Sequence, residues 1–350
     1  MPDFPELYDD DDADADCYDE VICAGCGAEY DGEDCTCCPE CGERNRDRSN
    51  QNYTTDVLAA ARYNWSVAEQ SLGSRVRMGF ELEMTAPTAR PSDVLRDPLN
   101  TAFDKLREEF PFASKYCITK SDGSIMGPNP AEMCTIPLTV EEHSRVLYRA
   151  FPDGRLAGRQ LRMWSNSSCG MHIHIGIVKR NVPAFSFGKP VLNATSLAIG
   201  KLMVFMHDPR NESFWIDICG RGSTSYCHFR RARVTDYSRL TRGAGVRTIN
   251  DRPHHIQPLQ RYDVLNVTNG RTLEFRLPRP TARIPSILKN LELFESSLAW
   301  VKYQSASGHF RYEDYLQWLA APNRRKTYTY LHQWLFKKKT NFGIVYRSYI

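Results

Sequence analysis

The sequence lacks any long run of apolar residues. None of its 350 residues belongs to a stretch that approaches the roughly 18 consecutive apolar side chains of a membrane-spanning helix. The first residues, MPDFPELYDDDDADAD, also lack the basic and apolar regions of a secretory signal peptide. We therefore expect a cytoplasmic protein with no membrane partner, in which a disulfide framework is a poor explanation for the 12 cysteines.

The net charge of +3 hides a strong asymmetry along the chain. Residues 1–50 carry 17 acidic side chains against three arginines, whereas the remaining 300 residues have a net charge of +17. This polarity suggests an acidic tail, residues 1–20, that folds back on a basic body or competes with an anionic ligand for it. For Asp9–Glu20 taken alone, a solubilising disordered tail is the favoured alternative.

The cysteines concentrate near the amino terminus, in CAGCGAEYDGEDCTCCPECGE. Two CxxC pairs, separated by 11 residues, can each bring two thiolates to one tetrahedral Zn²⁺. Such spacing predicts a zinc ribbon over residues 21–45, with a structural Zn²⁺ because four thiolates close the site. Its predicted ligands are Cys23, Cys26, Cys38 and Cys41. A protein partner is one expected role of the ribbon, and residues 46–72 are expected to form a linker and a helix.

Three short segments alternate apolar and polar residues with a period of two, which is typical of β-strands with one polar face. They are RMGFELEMT at 77–85, CGMHIHIGI at 169–177 and RTLEFRLP at 271–278. Their polar positions hold Glu81 and Glu83, His172 and His174, and Glu274 and Arg276. A solvated sheet face is the alternative, but such faces usually carry Thr, Lys, Ser and Gln. Carboxylates and imidazoles together favour Mg²⁺ or Mn²⁺.

A fourth segment, KSDGSIMGPNPAEMCTIPLT at 120–139, belongs to the same set. It opens with Lys120 and a turn at Asp122-Gly123, and it ends in a strand-like stretch with Glu132 as its one acid. Asp-Gly is a common turn dipeptide, so a structural role of Asp122 is as well supported as a functional one.

Taken in order, GFELE, DGS followed by ExxTxPL, CGMHIHI and RYDVLNVTNGRTLEFR resemble the amidoligase family, carboxylate–amine ligases related to glutamine synthetase. CGMHIHI and LEFRLPRPTA are similar to segments of glutamine synthetase itself. The resemblance covers roughly residues 75–305. It implies an α+β fold, with a curved antiparallel sheet, helices on its outer face, and ATP with Mg²⁺ or Mn²⁺ on its concave face. The lack of a Walker-type glycine loop decides nothing, because this fold does not use one.

Carried over residue by residue, the resemblance gives each polar position an expected role. Arg276 would bind the transferring phosphate and His174 the nucleotide phosphates, with Lys120 and Asp122 beside them. Arg261 and Asn266 match a recurrent arginine and asparagine that contact substrate or phosphate. The implied metal ligands are Glu81, Glu83, Glu132, His172 and Glu274.

The sequence therefore predicts an ATP-dependent carboxylate–amine ligase over residues 73–310, followed by a C-terminal extension, 311–350. Its substrates would be an acid and an amine, with a free amino acid, a peptide or a protein side chain as the acid. Two alternatives stay open. One is a metal-dependent hydrolase using the same glutamates and histidines. The other is a non-enzymatic protein in which a zinc ribbon and a basic body bind nucleic acid or a protein partner.

Nine arginines lie between residues 221 and 261. They are consistent with a nucleic-acid surface, with substrate or phosphate contacts in the cleft, or with a solvated loop, which is the favoured interpretation.

Overall fold

The computed structural model describes two units of the chain, Met1–Arg46 and Asp47–Ile350. The described residues are 20–22, 29–31, 76–106, 115–157, 160–161, 168–176, 190–224, 227–229, 262–266, 272–304 and 310–350. In the first unit, β1 (Glu20–Ile22) pairs antiparallel with β2 (Glu29–Asp31). The four predicted zinc ligands, residues 1–19, the predicted linker helix and Arg261 lie outside the described residues.

The second unit contains a six-stranded antiparallel sheet. Its strands, in chain order, are β3 (Met78–Met84), β4 (Cys117–Lys120), β5 (Ala131–Thr135), β6 (Met171–Gly176), β7 (Leu265–Asn266) and β8 (Thr272–Phe275). In space the order is β4-β5-β3-β6-β8-β7, and each neighbouring pair is antiparallel. The predicted antiparallel sheet is thereby confirmed, and each of the four strand-like segments forms a strand.

Helices accompany the sheet along the chain. They are α1 (Pro91–Asp104), α2 (Val140–Ala150), α3 (Pro190–His207), α4 (Glu212–Cys219), α5 (Ile284–Tyr303), α6 (Tyr312–Leu319), α7 (Pro322–Thr327), α8 (Thr329–Lys337) and α9 (Asn341–Arg347). Among the helices of the described part of the chain, none is both long and apolar enough to cross a bilayer.

One face of the sheet is the protein's core. The alternate residues of β3, Met78, Phe80, Leu82 and Met84, are at most 1% exposed, because period-two alternation turns them all to the same side. Helices cover this face through aromatic contacts. Phe275 of β8 stacks on Phe294 of α5 with ring centroids 4.9 Å apart, and its ring meets Trp215 of α4 edge-on at 5.9 Å. The polar positions of the strands consequently point to the opposite face.

Local sequence signals set the ends of the helices. α2 begins with a capping box, in which the Thr139 hydroxyl accepts the amide of Glu142 and the Glu142 carboxylate accepts the amide of Thr139. α5 begins beside Pro285, whose missing N–H costs nothing in the first helical turn. Both helices therefore start where local chemistry favours them, and both bury one side against the sheet.

Buried charged groups join α5 to its neighbours. The amino group of Lys289 donates to the carbonyl of Ile218 at the C-terminal end of α4, and burial lowers its pKa to about 8. One turn later, a carboxylate oxygen of Glu292 accepts the amide of Leu331 at 2.7 Å, in the first turn of α8. Glu292 is 3% exposed, and burial raises its pKa to about 8 against the opposing backbone hydrogen bonds. α5 is thus the hub to which the C-terminal helices attach.

A buried histidine ties α2 to the sheet. His143 Nε2 lies 2.7 Å from the carbonyl of Met78, which only accepts, so this nitrogen carries the proton. Nδ1 then accepts from the hydroxyl of Tyr116 at 2.8 Å. Burial lowers the pKa of His143 to about 4. The neutral ring is therefore the form that fits the fold.

The depressed pKa of His143 predicts a loss of stability in acid. A histidine with a pKa near 6.5 in the unfolded chain and about 4 in the fold contributes its full stabilisation above pH 6.5 and loses it as the pH falls toward 4. The free energy of unfolding should drop by about 2 kcal/mol for this group between pH 7.5 and pH 5. Urea titrations of the wild type and of His143→Gln at both pH values measure it. An equal pH dependence in the two proteins would contradict the assignment.

Candidate metal centre

The register of the strands gathers the polar positions into three rows across the sheet. Backbone pairing sets Glu83 opposite Glu132 and Glu81 opposite His172, on β3 and its two neighbours. Because antiparallel partners lie side by side with their side chains on the same face, each row is a line of neighbouring side chains. The first row is Lys120, Glu132 and Glu83; the second is Cys134, Glu81 and His172; the third is His174, Glu274 and Asn266.

His172 lies within reach of three carboxylates. Its Nδ1 is 3.4 Å from Glu81 Oε2 and 3.6 Å from Glu274 Oε1. Its Nε2 is 3.9 Å from Glu83 Oε1. The ring is 5% exposed, so these groups face one another with little water between them. The structure thus brings His172 together with three of the other predicted metal ligands.

His174 shares Glu81 with His172. Its Nε2 lies 3.3 Å from Glu81 Oε2. Burial alone would lower the pKa of His174, but the carboxylates of Glu81, Glu274 and Glu132 raise it above the usual value. Sequence reasoning assigns His174 to phosphate, whereas its position among the acids is equally suited to metal ligation.

Among the residues that the structure describes, two sets of three donor atoms are close enough to hold a metal ion. One set is Glu81, Glu132 and Cys134, and the other is Glu81, His174 and Glu274. Within each set the ligand atoms all lie within 4.8 Å of one another. Glu81 belongs to both sets, so an ion bound by either set would use its carboxylate.

The carboxylates compete for ionisation. Burial opposes the charge on Glu81, yet His174 and His172 beside it hold its pKa well below the usual range. Glu132 shows the opposite behaviour, because burial and the neighbouring Glu81 raise its pKa to about 8. Burial also raises the pKa of Glu83. The pKa values of Glu81 and Glu132 are therefore shifted in opposite directions, as expected of two acids that compete for the same positive charges.

The predicted nucleotide contacts have other partners in this structure. Lys120 Nζ lies 2.9 Å from Glu132 Oε2, in an ion pair of the first row. Asp122 Oδ1 accepts both the amide and the hydroxyl of Ser124 at 2.8 Å, which stabilises the turn. Asp122 therefore stabilises the turn, and it also lies near enough to Glu83 to raise the pKa of that carboxylate. Its functional role stays a prediction.

Glu274 is held from two sides. The amide of Asn266 donates to its Oε2 at 2.7 Å, and Arg276 donates to its Oε1. Arg276 also lies over the ring of Tyr262, with Cζ 5.9 Å from the ring centroid. Asn266 therefore positions this carboxylate, and its expected contact with substrate or phosphate stays a prediction.

The donor set is suited to divalent ions. Carboxylate oxygens and imidazole nitrogens are ligands that Mg²⁺ and Mn²⁺ accept, and the acids are already within reach of one another. Cys134 is the addition that sequence reasoning did not include among the ligands. Its Sγ lies 3.4 Å from Glu132 Oε1, and alternation from Glu132 along β5 was the signal that it shares this face.

Comparisons with known proteins yield only remote likenesses. No protein-family model matches the chain, and no curated protein matches it. A glutamine synthetase of Plasmodium falciparum aligns with a TM-score of 0.30 and 10% identity. The alignment covers 69% of this chain and 55% of the glutamine synthetase chain. A structure described as a novel glutamine synthase homolog aligns with a TM-score of 0.32 and 12% identity, over 83% of this chain and 74% of its own. At these TM-scores neither likeness bears on the function.

The shared position of Glu81 predicts an unequal effect of two substitutions on metal binding. Glu81→Gln should weaken every Mn²⁺ that the face binds, by at least the roughly 10–100-fold that changes in groups supporting a metal ligand cause. Glu274→Gln should weaken only one of two ions, because Glu274 belongs to one donor set. Titration calorimetry with Mn²⁺ measures both. Glu141→Gln, an exposed change on α2, is the control, and unchanged Mn²⁺ binding in Glu81→Gln would refute the site.

Proposed function

We propose that this chain is an ATP-dependent carboxylate–amine ligase that forms an amide bond at a divalent-metal cluster. The observation that supports the proposal most directly is the convergence of four carboxylates, two imidazoles and one guanidinium on one face of the sheet. The amide-forming chemistry is inferred from the resemblance of the four strand motifs to the amidoligases. We extend the proposal to a cytoplasmic location and to an N-terminal zinc ribbon that docks a protein partner.

The chemistry of amide formation explains why such a face is useful. A carboxylate has no leaving group, so its oxygen first attacks the γ-phosphorus of ATP, and ADP leaves. The nitrogen of the amine then attacks the acyl carbon, the C–O bond to phosphate breaks, and the nitrogen loses a proton. The first step is catalysed mainly by positioning and by cations around the transferring phosphoryl group.

The residues that would hold the divalent ions are Glu81, Glu83, Glu132, His172 and Glu274, with His174 or Cys134 completing the donor sets. Bound ions would neutralise charge on the phosphate oxygens. Lys120, at the β4 edge of the first row, could release Glu132 to an ion and turn its ammonium group toward phosphate. Glu83, Glu132, His172 and Glu274 are buried in a medium of low dielectric constant, where each charge acts strongly on its neighbours.

Arg276 is the residue that we assign to the transferring phosphoryl group. Its guanidinium can donate two parallel hydrogen bonds to phosphate oxygens. In this structure it is paired with Glu274 and lies beside Tyr262. Asn266 holds the other oxygen of Glu274, so the carboxylate stays in place when Arg276 engages phosphate.

The proposal predicts a nucleotide-dependent condensation. Purified protein should convert ATP to ADP in the presence of Mg²⁺, pooled acids and pooled amines, with one new amide detected by mass spectrometry. Arg276→Met should lower the rate by about 10³-fold or more, because guanidinium groups that stabilise phosphoryl transfer contribute on that scale. It should still bind Mn²⁺, which separates a catalytic loss from misfolding.

The product mixture distinguishes the proposal from its alternatives. AMP instead of ADP would identify an adenylating ligase. Hydrolysis of an ester or amide without any nucleotide would identify the metal-dependent hydrolase. No nucleotide binding and no turnover with any pool would eliminate both enzymes and leave the zinc-ribbon binding protein.

A further inference from the structure

The polar face has a gap at Gly170. The carbonyl of Gly170 accepts the amide of Glu83 at 3.0 Å, so this glycine stands beside Glu83 and continues the first row toward β6. Every other position in that row carries a charged side chain. At Gly170 the face therefore has room for an atom supplied from elsewhere in the chain.

The guanidinium of Arg221 fills this gap. A methyl group at position 170 would lie 2.5 Å from Arg221 Nη1, 2.9 Å from His172 Nε2 and 3.2 Å from Glu83 Oε2. Three functional atoms thus surround one point, and only glycine leaves them the space. Arg221 is 9% exposed, so its charge is confined to the site. It is also a source of the attraction that favours the charged form of Glu83.

The turn that follows α4 places Arg221 at this point, and backbone contacts hold that turn. α4 ends at Gly220, whose φ of 68° is in the left-handed region that favours glycine, and the chain reverses there. Lys289 binds the carbonyl of Ile218, and the carbonyl of Cys219 accepts the amide of Arg279 at 2.9 Å. Arg221 follows directly, so the segment that leads into it is fixed by two backbone contacts.

A guanidinium at this position disfavours the binding of a metal cation when no anion is present. Two like charges within several ångströms repel by an amount that burial increases. The position becomes favourable when an anion bridges the bound metal and the arginine. On the basis of the proposed function, we propose that Arg221 binds an oxyanion of the substrates at the Glu83 edge of the metal centre, while Arg276 serves the Glu274 edge.

Oxyanions of two kinds have the required chemistry. A phosphate oxygen of the nucleotide and a carboxylate oxygen of the acid both accept two hydrogen bonds from a guanidinium. Both would approach the same donors, which the sheet places beside a metal ligand. The test therefore uses one probe for each source, ADP for the phosphates and succinate for the carboxylate.

The experiment compares Arg221→Met with the wild-type full chain by calorimetry. Mn²⁺ is titrated first, and then ADP and succinate are each titrated into the Mn²⁺-loaded protein. We expect Mn²⁺ affinity to stay equal or increase, and one of the two probes to bind about 10–100-fold more weakly, as loss of a charged hydrogen bond requires. The weakened probe identifies the source. Arg145→Met, an exposed change on α2, should alter neither.

Two further variants guard against misfolding. Arg221→Lys keeps the charge and loses the paired donors, so it should bind the affected probe with intermediate affinity. Gly170→Ala displaces the guanidinium without removing it and should weaken the same probe. Weaker Mn²⁺ binding with both probes unchanged would show that Arg221 only supports the metal ligands and would overturn the inference. A wild type that binds neither Mn²⁺ nor ADP would overturn the proposed function as well, and that failure is visible before any variant is measured.

Discussion

Repulsion among carboxylates is the constraint on which the rest of this structure depends. Glu81, Glu83, Glu132 and Glu274 share one face of a sheet, and three of them are at most 7% exposed. Ionising such groups together costs free energy unless cations stand between them. Two histidines, Lys120 and two arginines surround the acids in this structure, and the uneven pKa shifts of Glu81 and Glu132 show that the compensation is incomplete. A divalent ion bound at this face would supply the missing positive charge.

The core and the site are specified by the same alternation. Residues of β3 that pack against the helices are separated by the residues that form the rows, so neither set can move without the other. A slip of one residue in the pairing would turn Phe80 toward the metal centre and Glu81 into the core. The helices that cover the apolar face therefore keep the predicted ligands in register, although they supply none of these residues themselves.

The sequence predicted part of the fold and of the candidate site, and long-range packing decided the remainder. Alternation in three segments and a strand-like fourth predicted the strands and their polar residues, because side-chain direction in a strand depends only on the position along it. Which strands are neighbours depends on long-range packing, so the sharing of Glu81 by two donor sets could not be read. The Asn266–Glu274 hydrogen bond joins the neighbouring strands β7 and β8. The insertion of Arg221 over Gly170 joins segments far apart in the chain, and the glycine in the alternating motif was its one local trace. The zinc ribbon and the ligand roles stay predictions.

The carboxylate of Glu292 has a consequence for where this protein can be divided. The motifs end before residue 305, yet Glu292 on α5 binds the amide of Leu331 on α8. Cutting the chain between α5 and α6 would leave a buried acid with its principal hydrogen-bond donor removed, on the helix that also anchors α4 and so Arg221. The folding unit therefore extends beyond the segment that carries the motifs. The C-terminal helices help to hold in place the elements that form the candidate site, although they carry none of its motifs.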